Sequence, residues 1–192
     1  MVDSFNSPNS SKELLAEFTK DFQELRKSFT ARDIIKLKHL GAETARDALE
    51  FNEPRFVEFS VVAYSISKLL EKPYIFESNR WKKFSQFLAD ELVVGVKCTT
   101  KEQCDFVLTK IVKEVDKLSE DLGRFVTSVI EKARIKAATQ IYAHGASIGR
   151  AIELTNADRK ELLNYIGNTK LSDKYATKTV KERMVFAEKL FR

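Results

Sequence analysis

Between Thr100 and His144 apolar residues recur every three or four positions without a slip in phase: Phe106, Val107, Ile111, Val115, Leu118, Leu122, Phe125, Val129, Ala133, Ala137 and Ile141. Only an α-helix collects residues at that spacing on one face. The residues that would interrupt such a helix are scarce, with 6 Gly and 3 Pro in 192 residues. The chain is therefore expected to be all-α, with little or no sheet. This long period fits one helix or two helices broken between Ser119 and Gly123, and the break is preferred because Ser119 is a good cap.

Four further helices precede it. The first is expected from about Ser11 to Phe29, with Leu14, Leu15, Phe18, Phe22, Leu25 and Phe29 as its buried stripe. A second should start near Thr30, capped by that hydroxyl, and run through Ile34, Leu37, Leu40, Thr44, Ala48 and Phe51. Pro54 opens a third, because a first-turn N–H has no intrahelical partner to lose, and Pro73 marks its end. Its segment Phe56 to Leu70 is too short and too polar to span a bilayer of about 30 Å, so it reads as a central core helix. The fourth runs from about Ser78 to Val94, with Gly95 as its stop. Together these close a helical bundle over residues 11–131.

Cys98 and Cys104 match neither a zinc-ligand pair nor a redox Cys-x-x-Cys, and they read as reduced cysteines at a helix start, which Thr99 and Glu102 cap as a box. The N-terminal residues lack the basic-then-apolar order of a signal peptide and read as a disordered lead-in, so a cytoplasmic chain with no membrane partner is expected.

Charge is distributed unevenly. Residues 132–192 hold 13 Lys and Arg against 6 Asp and Glu, a net of +7 in a chain whose total is +5. Within this basic third, Gly145 to Gly167 reads as two short helices across a tight turn, the outline of a helix-turn-helix. Ala151, Leu154, Ala157, Leu162, Leu163, Tyr165 and Ile166 supply packing positions, Asn156 tolerates the left-handed turn, and Asp158 with Glu161 forms a capping box. Ile152 stands where such motifs usually have Ala, and Thr155 where they have a larger apolar residue.

If this module docks on duplex DNA, Arg159, Lys160 and Asn164 are its reading face. Arg can fork onto a guanine edge, Asn can pair with adenine, and Lys more often meets phosphate. Ser147 and Arg150 would hold a phosphate at the start of the first short helix. Asp158 opposes this by repelling phosphate. The alternative is an ordinary αα-hairpin with solvated charges, in a helical interaction or structural protein without nucleic-acid function.

Two resemblances bear on these readings. Lys132 to Ala143, Ile148 to Ala151, Leu162 to Thr169 and Val180 to Phe191 resemble a group of uncharacterised archaeal all-helical proteins with a C-terminal helix-turn-helix-like segment. That resemblance implies a cytoplasmic helical protein and brings no activity with it. Tyr64 to Leu70 also looks like the helical bundles of HEPN nucleases, an RNA-related family, but their Arg-x-x-x-x-His motif is missing: six residues separate Arg32 from His39, and no Arg stands five positions before His144. The two histidines read instead as a helix-surface residue and a helix C-terminal residue. No phosphate loop, nucleophile elbow or metal-ligand cluster is visible, and the carboxylates read as solvated. No enzyme, cofactor or metal is expected. After a polar linker from Asn168 to Thr177, Thr179 and Glu182 cap a last helix through Met184, Ala187 and Leu190, which would dock on the basic module, here taken as residues 132–192, or pair in a homodimer.

Overall fold

A computed structural model describes the backbone of residues 8–72, 75–121 and 124–168, and the side chains of 12–72, 75–118 and 129–168. Among the described residues eight helices follow one another: α1 (Pro8–Thr30), α2 (Ile34–Glu50), α3 (Arg55–Leu70), α4 (Asn79–Val96), α5 (Lys101–Asp121), α6 (Arg124–Ala143), α7 (Ile148–Thr155) and α8 (Arg159–Asn168). The described residues contain no strand, as the helical period requires, and no described helix is long and apolar enough to cross a membrane. The long period is carried by α5, described to Asp121, and α6, described from Arg124, which pack on one another, while residues 122–123 lie outside the described residues. The lead-in before Pro8, Pro73, the polar linker beyond Asn168 and the last capped helix lie outside the described residues, as does the side chain of Ser119.

α3 is buried nearly all round, which explains why its apolar residues do not keep to one stripe. Phe56 and Phe59 on α3 meet Phe18 on α1 with ring centroids 4.7 and 5.9 Å apart, and Phe22 meets Phe59 edge-on at 4.7 Å. α2 and α3 make the most extensive pairing. Gly41 permits that approach, since a Cβ there would lie 3.2 Å from the Ser60 carbonyl oxygen, and the Ser60 hydroxyl donates to the Gly41 carbonyl at 2.6 Å. Leu37, Leu40, Thr44 and Ala48 on α2 are buried as the spacing predicts. Phe106 departs from its stripe: it is 64% exposed, and Lys110 lies 5.1 Å from its ring.

Several boundaries move for local reasons. α2 starts later than Thr30 suggests, because Thr30 is the last residue of α1 and Arg32 turns left-handed (φ 51) to close that helix, with Asp33 N–H bonded back to the Ser28 carbonyl at 2.9 Å. The cap is Asp33, whose carboxylate accepts from Lys36 N–H at 3.0 Å. Gly95 does not stop α4; it is buried within the helix against the Phe22 ring, where a Cβ would come within 2.5 Å. At α5 the cap is one residue later than expected: Thr100 Oγ1 accepts from Gln103 N–H at 3.3 Å, and Gln103 reaches back to Thr99 N–H at 3.0 Å.

Cys98 and Cys104 are not free thiols. They form a disulfide with Cα atoms 5.5 Å apart, because the turn after α4 and the first turn of α5 bring the two buried side chains together.

α6 is the element that joins the two ends of the described chain. It packs on α2, α3 and α5 and carries α7 and α8. A division at residue 131 falls inside it, and Ala133, Ile135, Ala137, Ala138 and Ile141 enter the same buried cluster as Ala151, Leu154, Ala157 and Leu162.

Candidate nucleic-acid interface

Two short helices can stand at a defined angle only if their ends are fixed, and local hydrogen bonds cap both ends of α7 and the start of α8. Gly145 (φ 101) closes α6, and Ser147 Oγ then accepts from Arg150 N–H at 3.1 Å to cap α7. Asn156 ends α7 in the left-handed region (φ 52, ψ 34), its N–H bonded to the Ile152 carbonyl at 2.8 Å. Asp158 Oδ1 accepts from Glu161 N–H at 2.8 Å to start α8. The left-handed turn at Asn156 and the Asp158 cap of α8 are thus where the sequence puts them, and the Ser147 cap of α7 is one it did not assign. Thr155 is buried despite its hydroxyl because that group donates to the Ala151 carbonyl at 2.7 Å and accepts from Ala157 N–H at 3.3 Å. Both helices rest chiefly on α6.

The five candidate residues fall into two groups. Arg159, Lys160 and Asn164 are all exposed on α8, and their side chains make no hydrogen bond or ion pair among the described residues. Lys160 and Asn164 are one turn apart on its outer face; Leu163, 42% exposed, lies beside Arg159. Ser147 and Arg150 belong to the start of α7 instead. The Ser147 hydroxyl is committed to its cap, while Arg150 pairs with Glu153 at 2.7 Å and donates to Asn52 in the turn after α2. Arg150 therefore ties α7 to the bundle.

α6 contributes basic residues that the sequence reading did not assign to the site. Lys132 is exposed, Arg134 and Lys136 are half-buried, and all three flank α8. A cleft of about 390 Å³ between the two helices is lined by Tyr64, Lys132, Lys136, Asn164 and Tyr165 among others. There Lys136 donates to the Tyr165 hydroxyl and stands 4.6 Å from its ring centre, and burial holds the Tyr64 phenol above its usual range despite Lys136 nearby. The signal was present as the i, i+4 spacing of Lys132 and Lys136. A second cleft of about 560 Å³, at the start of α8, sets Arg134 and Arg159 among Glu131, Asp158 and Glu161, a mixed lining poorly suited to phosphate.

Of the C-terminal excess of +7, residues 169–192 carry +4, with seven Lys and Arg against three Asp and Glu, and these lie outside the described residues. His39 is exposed on α2, and the His144 ring donates to the Gln140 carbonyl at 2.8 Å just past α6, both as expected. The carboxylates are not all solvated: Asp21 and Asp47 are buried, and with Glu17 they converge between α1 and α2. Neither sequence spacing nor charge balance shows that convergence, since it depends on how α1 crosses α2. Comparison with protein-family models, curated proteins and solved structures finds no match for the chain.

Proposed function

We propose that the chain is a DNA-binding or regulatory protein that docks α8 against duplex DNA. The observation that carries this reading is the set of three exposed polar side chains, Arg159, Lys160 and Asn164, on a short capped helix beside basic residues of α6. Phosphate binding supplies most of the affinity in such complexes, and side chains on a helix in the major groove supply selection. In this reading Lys160, with Lys132, meets phosphates while Arg159 and Asn164 face base edges. Ser147 and Arg150 contribute at the edge of the contact, where Arg150 would exchange Asn52 for a phosphate. Asp158 serves its own helix as a cap, and its charge confines the contact to the outer face of α8.

The test is a duplex site selected from a random library by the full chain. Arg159→Ala should lose on the order of 1–3 kcal/mol for that site and relax selection at one position. Lys160→Ala should weaken all sequences alike and make the salt slope shallower by roughly one unit. A second reading, a helical interaction protein, draws on exposed Leu163 in the same face. It would be preferred if both substitutions leave DNA binding unchanged.

A further inference from the structure

We propose that Glu17, Asp21 and Asp47 form a binding site for a hard divalent cation, of the Mg²⁺, Mn²⁺ or Ca²⁺ class, between α1 and α2. Glu17 and Asp21 stand one turn apart on α1, and Asp47 comes from the last turn of α2. Each offers a carboxylate oxygen within 4.8 Å of the other two. Clusters of acidic residues on a surface are ordinary, but two members of this one are inside: Asp21 is 3% exposed and Asp47 5%.

Asp21 is the telling residue. Its Oδ2 is buried and has no hydrogen-bond partner. Among the described residues Ser65 Oγ, Glu91 Oε2 and Asp105 Oδ1 share that state, but Glu91 is ion-paired with Lys110 and Asp105 with Arg55. The cations nearby do not reach it. Lys20 pairs with Glu17, and Arg46 donates through Nη2 to Asp47 Oδ1 at 3.2 Å, so both serve the rim from exposed positions. The remaining charged groups of α2 at this end, Glu43 and Glu50, are acidic and exposed. The Thr44 hydroxyl is occupied with the Leu40 carbonyl at 2.9 Å. What is left is a buried carboxylate with an unpaired oxygen, one of three that converge here, with half-buried Glu17 as the way in from solvent. Three oxygen donors without nitrogen or sulfur select Mg²⁺, Mn²⁺ or Ca²⁺ over zinc or copper, and water would complete the shell. The bound ion would clamp α1 to α2.

Mn²⁺ reports binding directly, because its free form has a strong paramagnetic resonance signal that protein coordination quenches. Full-length chain stripped of metal should remove that signal at a single site, and Mg²⁺ or Ca²⁺ should compete. Affinity should fall by at least about tenfold in Glu17→Gln and more in Asp21→Asn and Asp47→Asn. Mn²⁺ should also raise the unfolding midpoint of the native chain and leave that of Asp21→Asn unmoved. The proposal is overturned if millimolar Mn²⁺ stays free beside the native chain, or if Asp21→Asn and Asp47→Asn bind it as the native chain does. Should either variant fail to fold, the native titration and Glu17→Gln decide.

Discussion

Asp21 shows how burial sets the behaviour of one side chain. Desolvation, then the nearby charges of Asp47 and Glu17, push its pKa up to about 8. With chelator present, the folded chain therefore holds a proton on Asp21 that the unfolded chain has released above about pH 4. Stability falls with rising pH wherever the folded state binds more protons. Chemical denaturation across pH should show the native chain losing about 1.4 kcal/mol per pH unit relative to Asp21→Asn between roughly pH 4.5 and 7.5. Parallel curves for the two proteins would mean that Asp21 titrates as a solvated carboxyl. At this scale the sequence was legible wherever a placement is local: that Arg159, Lys160 and Asn164 stand exposed on α8 follows from helical spacing within that helix. Asp21 was opaque because its burial is decided by another helix, and Phe106 because its stripe does not show which of its positions a neighbour covers.

Helices were the most legible level, for their periodicity is a property of consecutive residues. Their ends depend on less visible facts. Arg32 and Asn52 both adopt φ near the left-handed region, at 51 and 52°, where glycine is the usual reader's cue. Gly95 misleads for the complementary reason: a glycine there suggests a stop, yet the helix needs it for contact with Phe22. Gly95→Ala gains up to about 1 kcal/mol in helix propensity. It must also displace a buried ring, which typically costs about 1–3 kcal/mol. Denaturant titration should therefore show net destabilisation, and a stabilised variant would mean that α1 and α4 pack less closely there. The Cys98–Cys104 disulfide joins the end of α4 to the first turn of α5 across a short loop. Closing a loop of that size restricts the unfolded chain by about 2 kcal/mol, so reductant should lower the unfolding free energy by about that amount. Non-reducing mass spectrometry, which separates the cystine from the dithiol by two hydrogens, checks the bond itself.

The whole molecule is organised around α6, which enters the buried core and also carries α7 and α8. A charge boundary near residue 131 is visible in the sequence, and the core that crosses it is not. One consequence is experimental: removing residues 132–192 would take Ala133, Ala138 and Ile141 out of the buried cluster, so truncation cannot separate binding from folding. Exposed side chains can. Fluorescence anisotropy of a labelled mixed-sequence duplex at low salt, with full-length native chain and a Lys132→Ala, Arg159→Ala, Lys160→Ala triple variant, tests the proposed function most directly. The native chain should bind with an affinity that drops steeply as salt rises, and the triple variant, with unchanged circular dichroism, should bind weakly and with a salt slope shallower by roughly one unit per phosphate contact removed. No binding by the native chain at low salt, or equal affinity and slope for the two proteins, would contradict the account.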